Sequence, residues 1–275
     1  MVRRSACYRL YGYDATINYA HSDVTTATSR SFVKKTSELP AEMAQPGINR
    51  FVCSLLGKPK KQTTVLVLGS GNGLLEKHLE EQGFISVYSV DLFSTPQVPT
   101  NSFLRLDLNN PTFAKNILER WNKKFDIIVA VEVIEHLASS DNFLRNVESL
   151  LASGGKAFFS TPNIHSALAR VEYLVTGYPT LYFHPPSRGD HINPIFDRII
   201  THIARENGLR ITKINYYDSI RRYLRDYPRH GIRSWIYIYG ALILSVLLRP
   251  FMRIERHTIK GLSKVFTVQK ITRLK

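Results

Sequence analysis

Apolar positions along this chain fall into two alternating patterns. Short continuous runs are separated by stretches with helical spacing. Thr64–Leu68, Ile85–Val90, Ser102–Leu106 and Phe125–Val131 read as buried strands, because a strand covered on both faces has no polar alternation. Lys156–Thr161, Leu209–Ile214 and Lys264–Lys270 follow, the last alternating clearly. Between them, Leu74–Gln82 fits a helix closed by Gly83, and Asp141–Leu151 fits another. Asn193–Glu206 fits a third, with Asn193 as cap, Pro194 at the first helical position and Gly208 beyond the end. Helical segments are expected around Ser31–Lys35 and Gly47–Leu56, and Lys58–Gln62 reads as a linker. Strands alternating with helices imply an α/β fold with a doubly wound, mostly parallel sheet.

This order divides the chain into an N-terminal helical lid or substrate segment, residues 1–60, and a main domain, residues 61–275. An insertion at about 219–262 precedes the last strand. The insertion holds the longest apolar run, Trp235–Leu248, between Arg233 and Arg249. As a helix, 14 residues span ~21 Å, short of the ~30 Å hydrocarbon core of a bilayer. Lying in a membrane interface suits Trp235, Tyr237 and Tyr239 with flanking arginines. A buried hairpin helix or a homodimer contact is the alternative.

Charge strengthens the membrane reading. The chain of 275 residues carries 37 basic and 22 acidic side chains, a net charge of +15. That balance favours an anionic partner, a membrane surface or nucleic acid. The apolar centre of the insertion fits lipid better than RNA. The two cysteines, Cys7 and Cys53, have no metal-ligand spacing, and the N-terminus is a poor secretory signal. A reduced, cytoplasmic protein with peripheral membrane contact is expected.

Two features carry chemistry. Gly69-Ser70-Gly71-Asn72-Gly73 turns between a strand and a helix, where glycines allow a close backbone approach to a ligand. Asp91 closes the next strand, placed to accept the hydroxyls of a ribose, and Asp107 closes the third, within reach of an adenine amino group. Together they point to an adenosine-containing cofactor. The second feature is Glu132-Val133-Ile134-Glu135-His136, directly after the fourth strand. On one helical turn its two carboxylates and imidazole share a face, at the sheet edge where open α/β folds bind ligands. Oxygen donors with imidazole suit Mg²⁺, Mn²⁺ or Zn²⁺, and His191 could supply a fourth ligand. His136 or His191 could instead act as a general base without metal.

Over roughly residues 60–215 these motifs, with Asp107-Leu108, Leu137 and Gly154-Gly155, resemble those of class I S-adenosylmethionine-dependent methyltransferases. The resemblance implies a Rossmann-like sheet of seven strands, the last antiparallel. It implies cofactor contacts from Gly69, Ser70, Gly71, Gly73, Asp91, Leu92, Asp107, Leu108 and Glu132. A nucleotide-dependent dehydrogenase would instead read G-x-G-x-x-G in the turn. One departure stands out. The family has an acidic residue two positions before the first glycine, and this chain has Val67. The contact to the methionine amino group must then come from elsewhere, such as the carbonyl of Gly69.

The E-x-x-E-H run with a later histidine is similar to two branches, ubiquinone-biosynthesis O-methyltransferases and small-RNA 3′-terminal 2′-O-methyltransferases. Both imply a divalent ion held by Glu132, Glu135, His136 and His191. In many metal-free class I enzymes, a similar Glu-His-Leu only caps a helix or lines the cofactor pocket. The expected reaction is methyl transfer to a hydroxyl of a membrane-presented or lipid-linked acceptor, a quinone precursor or a surface-glycan sugar. The alternatives are 2′-O-methylation of an RNA end and a non-catalytic membrane adaptor retaining the fold. His165 and His184 lie in the stretch where such enzymes read their acceptor.

Overall fold

The computed structural model of the chain describes residues 44–60, 62–96, 102–177, 191–217, 239, 240, 243, 244, 247 and 261–271. The expected helix at 31–35, His184 and most of the insertion lie outside them. Helix α1 is Ile48–Leu56, followed by β1 (Thr64–Leu68), α2 (Leu74–Glu81), β2 (Ser86–Asp91) and β3 (Ser102–Arg105). Then come α3 (Phe113–Trp121), β4 (Phe125–Ala130), a single 3₁₀ turn Ile134–His136, α4 (Ser140–Leu150) and β5 (Leu151–Pro162). The described chain continues with α5 (Ala167–Thr176), α6 (Asp197–Glu206), β6 (Leu209–Tyr217) and β7 (Ser263–Lys270).

These seven strands form one sheet in the order β3-β2-β1-β4-β5-β7-β6. Pairings from β3 to β5 are parallel, whereas β7 runs antiparallel to both β5 and β6. The order reverses between β1 and β4, so the carboxyl ends of those two strands flank a crevice. Alternate residues of β1 explain why its sequence is apolar throughout. Leu66 and Leu68 pack with Phe113, Phe143, Val147 and Ile200, on the face covered by α3, α4 and α6. Val65 and Val67 pack with Ile48, Val52, Leu75 and Leu79, on the face covered by α1 and α2.

Helix starts follow local hydrogen bonding. The Ser139 hydroxyl accepts from Asn142 N and starts α4, and Ser166 does the same for α5 through Ala169 N. The expected start at Asn193 is corrected. Residues 191–196 are not helical, and α6 begins at Asp197. The Asn193 amide is used elsewhere, donating to Ser140 Oγ at 2.8 Å and to Ile134 O at 3.3 Å. Tertiary contacts thus outcompete capping, and the straight segment they hold leads from His191 towards α6. Among the described residues, no helix is long and apolar enough to cross a membrane.

Candidate active site

The glycine turn is built for close approach. Gly69, Gly71 and Gly73 all have positive φ, at 77°, 54° and 92°. Gly69 and Ser70 donate their amides to Val90 O at 2.8 and 3.1 Å, tying the turn to the end of β2. The Asp91 carboxylate is oriented by three backbone donors: Gly71 N on Oδ2 at 2.8 Å, and Phe93 N and Ser94 N on Oδ1 at 2.8 and 2.7 Å. A carboxylate held this way keeps lone pairs for ribose hydroxyls. Ser70 Oγ is buried without a hydrogen-bond partner, a donor available to a ligand in the turn. Leu92 is half-buried and Leu108 buried, whereas Asp107 is exposed and accepts Asn109 N at 2.8 Å. Val67, at the position where the family carries an acidic residue, is fully buried against α1 and α2.

Across the crevice, the Glu132–His136 run departs from its expected geometry. Only Ile134–His136 turns, and as a 3₁₀ helix. Glu132 sits before it with φ 52°, in the left-handed region that side chains disfavour. Its amide donates to Ser160 Oγ at 3.0 Å. Its carboxylate accepts Gln45 N at 3.0 Å and Ser263 Oγ at 2.8 Å. Glu132 therefore lies outside the turn that carries the other two, and the expectation of one shared helical face is corrected. Gln45 and Ser263 lie 87 and 131 positions from Glu132, and no sequence signal marks that pairing.

Glu135, His136 and His191 do come together, with one ligand atom of each within 4.8 Å of the others. The two imidazoles meet edge-on, their centroids 4.6 Å apart. His191 is delivered by its backbone, since Ile192 and Asn193 donate their amides to Glu135 O at 2.9 and 3.0 Å. The Glu135 side chain is wholly buried, and neither carboxylate oxygen makes a hydrogen bond. Burial raises its pKa well above the ordinary value, and the nearby Glu132 carboxylate adds to the rise. Its own amide and the Thr161 hydroxyl act the other way, without reaching hydrogen-bond geometry. A buried carboxylate lacking a partner is costly. A divalent cation between it and the two imidazoles would remove that cost with its preferred donors. Glu135, His136 and His191, three of the four expected ligands, are thus grouped as a metal ion would need.

A doubly wound sheet, a glycine turn at its switch point and a carboxylate closing β2 define a class I S-adenosylmethionine-dependent methyltransferase. Comparison with known proteins agrees. A family described as a methyltransferase domain matches residues 37–214, and the chain belongs to that family. It is 32% identical over 160 residues to a ubiquinone biosynthesis O-methyltransferase of Coxiella burnetii (strain Dugway 5J108-111), covering 56% of this chain and 67% of the relative. The protein of the same name from Caulobacter vibrioides is 34% identical over 131 residues, covering 44% of this chain and 51% of the relative. The crystal structure of a SAM-dependent methyltransferase from Archaeoglobus fulgidus shares the fold at 13% identity. Its TM-score is 0.53, covering 81% of this chain and 93% of that one.

Proposed function

We propose that the enzyme transfers the methyl group of S-adenosylmethionine to a hydroxyl oxygen, on an acceptor of the quinone-precursor or lipid-linked sugar class. The observation that carries this reading is the unpartnered Glu135 carboxylate beside His136 and His191, after the carboxyl end of β4. Hydroxyls are poor nucleophiles near neutral pH, so a site for them must orient and help deprotonate the oxygen. A divalent cation, when bound, supplies positive charge that lowers a hydroxyl pKa. Glu135, His136 and His191 would hold it. Gly69–Gly73, Asp91 and Asp107 bind and orient the cofactor. The match to relatives named for O-methylation in ubiquinone biosynthesis supports the same acceptor chemistry.

Presentation of the acceptor at a membrane belongs to this proposal. Residues 239, 240, 243, 244 and 247 are helical, and Tyr239, Ile243, Leu244 and Leu247 are exposed. Three of the four recur at every fourth position, an apolar stripe suited to the headgroup boundary. Flotation of the full chain with anionic liposomes is expected, and its absence would remove membrane presentation from the proposal.

The deciding experiment is a methyl-transfer screen with labelled cofactor against catechols, lipid-linked sugars and short RNAs, with and without EDTA. Transfer to a catechol or sugar hydroxyl, lost in chelator and restored by Mg²⁺, Mn²⁺ or Zn²⁺, is the expected result. Full activity in chelator would eliminate the cation. Transfer to RNA alone, with salt-sensitive RNA binding, would replace the acceptor class. Cofactor binding without any transfer would favour a non-catalytic adaptor.

A further inference from the structure

Beyond the end of β5, the fold assembles a line of ionisable groups used by neither the cofactor turn nor the Glu135 cluster. It starts inside the sheet. Lys264 on β7 is completely buried, and its ammonium donates to Ile195 O at 2.8 Å and to Asp197 Oδ1. Asp197 opens α6, where a carboxylate suits the helix dipole. Its other oxygen, Oδ2, faces His165 Nδ1 at 3.4 Å. Although burial opposes ionisation of Asp197, His165 and Lys264 together hold its carboxyl below the usual range.

His165 is fixed from every side except one. Its amide donates to Asn163 Oδ1 at 3.1 Å, and its carbonyl accepts from Arg170 Nε at 3.0 Å. Asn163 is itself buried, donating its backbone amide to Leu262 O at 2.7 Å and its side-chain amide to Gly261 O at 2.9 Å. The Phe196 ring flanks the imidazole, with centroids 6.0 Å apart. What stays open is Nε2, which has no hydrogen-bond partner among the described residues, on a side chain 26% exposed.

Lys264 and Asp197 already neutralise one another, so the pair would be complete without a histidine. Adding His165 gives the line an outward end. With the Asp197 carboxylate at Nδ1, Nε2 is the ring nitrogen left to meet a ligand. Placement matters as much. His165 follows the carboxyl end of β5, beside β4, whose end leads into the Glu132–His136 run. Residues 191–197 run directly from His191 to Asp197, so one segment serves both clusters.

We propose that His165 reads the methyl acceptor: its Nε2 hydrogen-bonds a phenolic or alcoholic hydroxyl, with Asp197 and Lys264 as positioning residues. The inference rests on the O-methylation reading and adds to it the residue that selects a hydroxyl-bearing ring. An apolar analogue lacking that hydroxyl would leave Nε2 desolvated and unpaired, which is how a site of this kind discriminates.

The test uses the full chain, labelled S-adenosylmethionine and 3,4-dihydroxybenzoate as a water-soluble catechol. His165→Leu should lower kcat/KM for the catechol about tenfold or more, chiefly through KM. His165→Gln, which keeps a hydrogen-bonding group, should recover most of the loss, and Asp197→Asn should fall between. Cofactor affinity by calorimetry should be unchanged in all three, which also reports that they fold. In ¹⁵N-histidine-labelled wild type, the His165 Nε2 resonance should move when the catechol is added. Wild-type kcat/KM in His165→Leu, no recovery in His165→Gln, weakened cofactor binding in step with activity, or an unmoved resonance during turnover would each overturn the role of His165 alone. A wild type that neither methylates nor binds the catechol would overturn the acceptor reading, and this inference with it.

Discussion

Gly69 is where the glycine turn touches the stretch after β4, and its replacement by alanine measures that contact. Two penalties are expected. At φ 77° a Cβ adds left-handed strain of about 1–2 kcal/mol. The new Cβ would also overlap Val133 Cγ2, with Val133 Cγ1 and Cβ at 3.5 and 3.6 Å. Val133 cannot easily swing aside, because β-branching restricts its rotamers. Overpacking of that kind adds about 1–3 kcal/mol. Gly177→Ala is the control, since its φ of 76° is nearly the same and nothing lies within 4 Å of the added Cβ. Urea unfolding should therefore show about 1–2 kcal/mol for Gly177→Ala and about 2–5 kcal/mol for Gly69→Ala. Val133→Ala removes the obstacle. The double variant should be more stable than the sum of the single losses by about 1–3 kcal/mol, an interaction energy read from the cycle. Equal losses for the two glycines, or additivity within about 0.5 kcal/mol, would refute the contact. Cofactor affinity measured on the same proteins should follow the cycle, because the same overlap displaces the turn.

Three further outcomes are expected. Glu76 is buried and accepts a hydrogen bond from Ser89 Oγ at 2.8 Å; burial pushes its pKa from 4.5 up to about 7, partly offset by Ser89 and its own amide, with Asp91 adding a little. The native state holds that proton where the unfolded chain has lost it. Stability therefore falls by about 3 kcal/mol as pH rises from 4.5 to 7 and is level above. Glu76→Gln should remove this slope in urea titrations across that range, and an unchanged slope would count against it. Glu135→Gln should be at least as stable as wild type without metal, since it removes an unpaired buried carboxylate. Zn²⁺ or Mn²⁺ at 100 times Kd should stabilise wild type by about 2.7 kcal/mol in thermal unfolding, and this variant far less. Equal shifts in both proteins would argue against Glu135 as a ligand. Asp91→Asn should weaken S-adenosylmethionine binding about 10- to 100-fold by calorimetry, the scale of a lost charge-assisted hydrogen bond; unaltered affinity would deny Asp91 the ribose.

Much of the sheet is legible because its strands are buried on both faces. Val65–Leu68 and Ile127–Val131 can be nothing but apolar there, and the ends of β2 and β4 fix Asp91 and the Glu132–His136 run at one edge. The cluster of Glu135, His136 and His191 is half legible. Adjacency gives the first two, and His191 depends on amides anchored to the Glu135 carbonyl, which no spacing rule encodes. Glu132 departs from its expected place because it precedes the turn with positive φ, and periodicity assumes regular backbone. Asn193 looks like a cap in sequence, yet its amide is worth more bridging Ile134 and Ser140 than starting a helix. Lys264 opens an alternating strand, and only the sheet order buries it beside Asp197.

That order has a consequence for how the chain comes into being. Among the described strands, β6 pairs with β7 alone, and β5 carries β7 on its far side. A nascent chain synthesised only as far as residue 260 would display two raw edges, with β6 unable to dock directly. Residues 261–271 must thread between them, forming pairs such as Pro162 with Ser263 across a hundred positions. Such non-local closure is slow. Until it occurs, Glu132 lacks Ser263 and Asp197 lacks Lys264. This corner of the crevice is therefore completed only by β7, which emerges after the other described strands, and that makes it the part most exposed to misassembly during translation.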